Sequence, residues 1–215
     1  MDIIEHTDIV VLGGGSAGTA AAIAASQQGL KVTLIERNSF LGGKATAAEV
    51  GTVCGLYHFS KKENSEYIVR GFAKDFAETL QQRSGSKPLH NAEGLHYLPY
   101  NIDAFKSLCL QLLSDHDVHI FFNAVLKNVV TEDEKMISVS VIAGGKPVTI
   151  FFKSLIDCSG DSVISSVAGL PLIKAGNYQA AAQVFTMEGV TEDNEGRLGL
   201  IMVKALKAAI DKDIL

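Results

Sequence analysis

The sequence has 215 residues, of which 47% are hydrophobic, enough for one large domain or for one domain plus a piece of another. A formal net charge of −5, with Lys61–Lys62 as a mere basic pair, argues against nucleic acid as a partner. Three scattered cysteines, Cys54, Cys109 and Cys158, show no C-x-x-C spacing, which fits a reducing compartment and speaks against a disulfide framework or a zinc site.

The chain begins MDIIEHTDIV, with acids where a signal peptide would carry bases, and no apolar run reaches membrane-spanning length. A soluble cytoplasmic protein is the expectation, with no membrane partner. Asp8–Leu12 reads as a buried parallel strand. Gly13, Gly15 and Gly18 then give the G-x-G-x-x-G spacing, and an alanine-rich helix starts near Ser16 and Ala17. That helix start offers free N–H groups and a positive dipole end to a phosphate. Gly29 suits the helix end, and Lys31–Ile35 reads as a second strand. Glu36 follows Gly18 at close to the ~20-residue offset of a ribose-binding acid. It argues against a 2′-phosphorylated ligand, although Arg37 beside it weakens that inference. Strand, glycine turn, helix, second strand and terminal acid agree, so a dinucleotide site is expected rather than a plain glycine loop.

Next comes a run of small residues, including Gly42, Gly43, Lys44, Ala45 and Thr46, suited to backbone passing close to a ligand. The paired segments GGGSAGTAAAIAASQQG and LIERNSFLGGKAT resemble the start of the FAD-dependent oxidoreductase superfamily of the glutathione-reductase-like type. They are most similar to the branch in which a G-G-x-A-T element follows the ribose-binding glutamate. The resemblance implies that the first glycine turn holds the FAD pyrophosphate. It also implies that Gly42–Thr46 runs past the pyrophosphate toward the isoalloxazine.

Ser65–Ser84 carries Ile68, Phe72, Phe76 and Leu80 at helical spacing and predicts a core-packing helix. A turn-rich connection with a short strand at Leu95–Leu98 follows. A second amphipathic helix is expected over Asp103–Ser114, with Ala104, Leu108, Leu112 and Leu113 inward and Cys109 an inert core thiol. Val118–Phe122 reads as a buried strand, and Val125–Thr131, Met136–Ala143 and Pro147–Phe152 as a β-meander with a Gly144–Gly145–Lys146 hairpin turn. By the resemblance, Val125 matches a residue whose backbone contacts adenine. Ser154–Asp157 returns to a buried strand and opens into Cys158-Ser159-Gly160-Asp161, where the family has an A-T-G-D-like turn close to FAD. Gly160 and Asp161 match directly. Asp161 is equally readable as the cap of a helix over Ser162–Ala168.

The fold class expected is α/β: a Rossmann-like domain with a central parallel sheet, an inserted meander and the beginning of a truncated second domain. The boundaries are 1–171 for the FAD-binding domain and 172–215 for the start of a substrate or cap domain, opened by a strand at Gln179–Val190 and closed by a helix after Asp193. Leu198, Ile201, Met202, Ala205, Leu206 and Ile210 make an apolar face with no later element to cover it. It predicts a homodimer, a complementary C-terminal chain or loose packing.

For chemistry, Cys54 and His58 could form a redox thiol or thiolate–imidazole pair near the flavin. The plainer reading is a buried structural cysteine and a surface histidine. His116 and His119 have metal-pair spacing but read better as a solvated turn, so no metal is expected. The function expected is FAD-dependent transfer of hydride or electrons to or from a small organic substrate. Two alternatives stand beside it: a non-catalytic or degenerate nucleotide-binding module, and an NAD-dependent dehydrogenase.

Overall fold

The computed structural model describes residues 3–173, 176–177, 184 and 189–212. The chain divides into two compact units, Met1–Gln183 and Val184–Leu215. The first half of unit one contains β1 (Ile3–His6), β2 (Ile9–Leu12), α1 (Ser16–Ser26), β3 (Val32–Ile35), α2 (Lys44–Ala47), β4 (Thr52–Cys54) and α3 (Phe72–Ser84). Then follow β5 (Leu89–His90), β6 (His96–Pro99), α4 (Ile102–Asp115), β7 (His119–Phe121), β8 (Ala124–Glu132), β9 (Lys135–Ala143), β10 (Lys146–Phe151), β11 (Ser154–Asp157) and α5 (Val163–Val167). The second unit contains α6 (Glu195–Ile210) among its described residues.

The core is a parallel sheet in the order β11-β2-β3-β7. Its central strands are covered on both faces, which is why β2 and β3 read as nearly unbroken apolar runs. Successive side chains go to opposite sides. Val11 and Leu34 join Ile23 of α1, Leu80 of α3, and Leu108 and Leu113 of α4. Val10, Leu12 and Ile35 join Val139, Val141, Val148 and Ile150 of the meander. The result is three layers: helices, parallel sheet and meander sheet. Burying a leucine as fully as Leu108 or Leu113 stabilises by roughly 1.5–3 kcal/mol.

The expected meander is present as β8, β9 and β10, in antiparallel register. A strand not anticipated from the sequence, β1, extends that sheet in parallel with β10, pairing Ile3 with Val148 and His6 with Phe151. The chain then crosses into the parallel sheet at Asp8, whose carbonyl accepts the N–H groups of Lys153 and Ser154 at 3.0 Å each.

Other expectations need correction. The helix foreseen from Ser65 begins only at Phe72, because Gly71 at φ +57° breaks the path, and Ile68 lies outside it and is exposed. The glycine- and alanine-rich stretch, for which no element was expected, contains the α2 turn and the edge strand β4, which pairs with β6. The short strand near residue 96 is His96–Pro99, shifted by one residue and flanked by β5. Of the strand expected over Gln179–Val190, only residues 184, 189 and 190 are described, so that expectation lies outside the described residues. The final helix is α6, capped by the Asn194 side chain accepting the N–H of Arg197 at 3.0 Å.

Candidate functional site

At the carboxyl ends of β2, β3 and β11, a cavity of about 450 Å³ opens, the place where open α/β sheets receive ligands. Four short segments wall it: 12–17, 35–38, 42–47 and 158–163, with Ala124, Val125 and Leu126 of β8 closing one side. Each segment leaves a strand of the parallel sheet or packs on one that does, so the sheet register fixes their separation.

The glycine turn is held from below and behind. A Cβ on Gly18 would meet the Gly13 carbonyl oxygen at 1.7 Å, so only glycine lets α1 sit this close to the turn. α1 has Gly15 as its N-cap residue, with no side-chain cap and no acid in its first turn. Its first N–H groups therefore face the cavity without a side-chain acceptor, an arrangement suited to an anion. The second glycine segment crosses the first: the Gly42 N–H donates to the Gly14 carbonyl at 2.8 Å, and a Cβ on Gly43, at φ +55°, would lie 2.9 Å from Gly15 Cα. Thr46 is buried behind this wall, its hydroxyl donating to the Leu41 carbonyl at 2.7 Å. Tyr100, also buried, donates its hydroxyl to the Ala45 carbonyl at 2.7 Å.

Glu36 ends β3 and is 4% exposed. Its Oε2 accepts the Gly14 N–H and its Oε1 the Asn38 N–H, both at 2.7 Å. A carboxylate offers about four lone-pair positions, so each oxygen keeps capacity for a further donor in the cavity. Across the mouth, Arg37 and Asp161 approach at 3.8 Å, both well exposed, a pair worth at most ~1 kcal/mol.

The sequence assigned fifteen residues to this region by number, and thirteen of them line the cavity; Gly18 and Thr46 stand just behind it. Cys158, Ser159, Asn38, Ala47 and Val163 also line it and were not singled out as site residues. The signal for the first two was their position inside the Cys-Ser-Gly-Asp turn. Burial, with the Asp157 charge adding to it, pushes the Cys158 thiol up, so that group stays protonated at neutral pH. Asp161 does not cap α5. That task falls to Asp157, whose Oδ2 accepts the Ile164 N–H at 2.9 Å.

Cys54 and His58 are both exposed and neither lines the cavity; the buried structural cysteine of the plainer reading is therefore corrected to an exposed one on β4. His116 closes α4, with Nδ1 2.8 Å from the Leu112 carbonyl and Nε2 3.2 Å from the Gln27 amide. His119 instead lays its ring against Phe121 at 4.6 Å. Burial pushes the Cys109 thiol up to about 11, as an inert core thiol requires.

A parallel α/β sheet with this cavity at its carboxyl edge defines a dinucleotide-binding fold. Comparison with known proteins is more specific: the profile of the FAD dependent oxidoreductase family matches residues 8–212, and the chain belongs to that family, whose cofactor is FAD. Among curated proteins, the chain is 35% identical to mitochondrial dihydrolipoyl dehydrogenase of Dictyostelium discoideum over 92 residues, which is 38% of this chain and 18% of that protein. It is 30% identical to digoxin reductase of Eggerthella lenta over 106 residues, 49% of this chain and 17% of that one. These matches span less than a fifth of either relative. Among solved structures, a geranylgeranyl bacteriochlorophyll reductase-like protein of Thermoplasma acidophilum superposes with a TM-score of 0.54 at 16% identity, covering 78% of this chain and 43% of that one. THI4 of Thermovibrio ammonificans gives 0.53 at 17% identity, covering 77% and 64%. At such identities the likeness is one of fold. The family match favours neither the NAD-dependent dehydrogenase nor the non-catalytic module.

Proposed function

We propose that this chain supplies the FAD-binding part of an oxidoreductase that moves hydride or electrons between FAD and a small organic substrate. The observation that carries the reading is the cavity itself, which brings together the glycine turn, Glu36, the Gly42–Ala45 segment and the Ser159–Asp161 turn. The pyrophosphate fits against Gly13, Gly15, Ser16 and Ala17, where a glycine wall and uncapped helix N–H groups meet. Glu36, already fixed by two backbone donors, presents its remaining lone pairs to ribose hydroxyls, and its charge disfavours a 2′-phosphate. Arg37 and Asp161 flank the entrance. Gly42, Gly43, Lys44 and Ala45, backed by Thr46, guide the ligand along the second wall, and Val125 and Gly160 also border the cavity. FAD supplies the redox chemistry when bound; the chain binds it, orients it and excludes water from one side.

Residues 1–171 form the cofactor domain in this reading, and 172–215 begin a substrate or cap domain. The exposed apolar side chains of α6 are covered, in the same reading, by a second copy or by C-terminal elements of the fold. A cytoplasmic location fits the cysteine usage, and among the described residues no helix is long and apolar enough to cross a membrane. The test is titration of the purified chain with FAD, followed by flavin fluorescence, with NAD and NADP as competitors. The reading expects saturable binding of FAD at one equivalent and weak competition, weakest for NADP. Preference for NAD over FAD would contradict it.

A further inference from the structure

Asp157 does not line the cavity, yet it organises the turn that does. It is the last residue of β11, and its Oδ1 accepts both the N–H of Ser159 at 2.9 Å and the hydroxyl of Ser159 at 2.6 Å. Its Oδ2 accepts the Ile164 N–H at 2.9 Å. With its proton committed to Asp157, the Ser159 oxygen is free to accept, and it takes the N–H of Val163 at 3.1 Å and of Asp161 at 3.3 Å. One carboxylate and one hydroxyl thus accept four backbone N–H groups of this turn, those of Ser159, Asp161, Val163 and Ile164. Charge-assisted bonds of this kind are the stronger ones.

The turn needs such fixing. Ser162, the N-cap residue of α5, sits at φ +51° and makes no cap bond with its own side chain. That left-handed conformation is costly for a residue with a Cβ and persists only when its surroundings hold it. The turn also presses on the phosphate side of the cavity: the Cys158 N–H donates to the Leu12 carbonyl at 2.8 Å, and a Cβ on Gly13 would lie 2.5 Å from the Cys158 carbonyl oxygen. A turn that relaxed would move Ser159, Gly160 and Asp161 and slacken the wall against Gly13.

We infer that Asp157 is a positioning residue for the cofactor, acting through the Ser159 hydroxyl to hold the 158–161 turn in its binding shape; this rests on the reading of the cavity as the FAD site. Asp157 is exposed and outside the apolar core, so its loss costs stability no more than that of a helix cap does, and falls chiefly on the turn. The experiment compares Asp157→Asn, Ser159→Ala and Ser159→Thr with the wild type. It reads FAD dissociation constants, unfolding midpoints without FAD, and amide hydrogen exchange at Asp161, Val163 and Ile164. Asp157→Asn keeps the shape but can no longer accept at both oxygens; FAD affinity falls tenfold or more and exchange at the three amides rises. Ser159→Ala weakens FAD several-fold, and Ser159→Thr, which keeps the hydroxyl, restores wild-type affinity. If wild type binds FAD while Asp157→Asn and Ser159→Ala stay within twofold of it, the role of Asp157 is overturned and the site reading stands. If the wild type fails to bind FAD, the site reading falls and this inference with it.

Discussion

Glu36 does two things with one carboxylate. It ties the glycine turn to the segment after β3 through Gly14 and Asn38, and it faces the cavity with what capacity remains. Glu36→Gln keeps one acceptor oxygen but sets an amide against the other backbone donor. Leaving a buried donor unmet costs about 1–3 kcal/mol, so the denaturation midpoint falls and FAD affinity falls with it. Retained affinity in an unfolding-resistant variant would contradict this double role. Gly18→Ala acts on packing alone: with its Cβ 1.7 Å from the Gly13 oxygen, α1 must move off the turn, and the loss exceeds about 3 kcal/mol in a chemical denaturation series. A midpoint close to wild type would mean that α1 is not seated as described.

At this scale the sequence spoke unevenly. Gly13, Gly15, Gly18 and Glu36 were legible because each occupies a fixed place in one local unit of strand, turn, helix and strand. Asp157 was not. A cap is sought beside the helix it serves, which pointed to Asp161, whereas the real acceptor stands seven residues before Ile164 and depends on the left-handed turn at Ser162.

Among the elements, α2 and its flanking glycines depend on a residue far away in sequence. Tyr100, just beyond β6, holds the Ala45 carbonyl and packs its ring 5.1 Å from that of Phe105 on α4. Tyr100→Phe keeps the ring and deletes the bond, and is expected to cost about 1 kcal/mol of stability and to raise the FAD dissociation constant more than it lowers the midpoint. Equal small effects on both would assign Tyr100 to the core alone. α4 carries a second testable consequence. Cys109 has an ordinary thiol value near 9 and is pushed by burial to about 11 in the folded chain. Between those values the unfolded chain releases its proton first, so stability is lost as pH rises, by about 2.7 kcal/mol at most. Tyr100, also raised by burial, acts in the same direction at higher pH. Denaturation at pH 8 and pH 11 should show the loss, and Cys109→Ala should flatten it.

Strong periodicity made α4 and the three meander strands readable. β1 was hidden because four residues carry little pattern and its partner, β10, lies more than a hundred residues away. The over-long reading of α3 had a different cause. Ile68 falls on the same helical stripe as Phe72 and Phe76, but Gly71 takes a positive φ and ends the continuity that the apolar spacing implied.

For the molecule as a whole, the first unit holds the candidate site and the second holds α6, whose Leu200, Ile201, Val203, Leu206 and Ile210 are exposed. So many exposed apolar side chains on one helix are unusual for an isolated surface. Replacing Leu206 and Ile210 by lysine is expected to shift the oligomer distribution in analytical ultracentrifugation toward monomer while leaving FAD affinity within twofold. An unchanged distribution would contradict a second copy on this face. The stripe expected from the sequence is met only in part: Ile201, Leu206 and Ile210 are exposed, Leu198 and Met202 are half-buried, and Leu200 and Val203 are exposed outside it. What covers a helix is set by surfaces beyond its own periodicity.

Whether FAD occupies the cavity at the carboxyl edge of the parallel sheet is read most directly by amide chemical-shift mapping of the chain during FAD addition. Saturating shifts are expected in Gly13–Gly18, Glu36, Arg37, Gly42–Thr46 and Ser159–Asp161, with β9 and α6 unmoved. Binding that left the glycine turn and Glu36 unperturbed, or that shifted residues outside these four segments instead, would contradict FAD occupancy of this cavity.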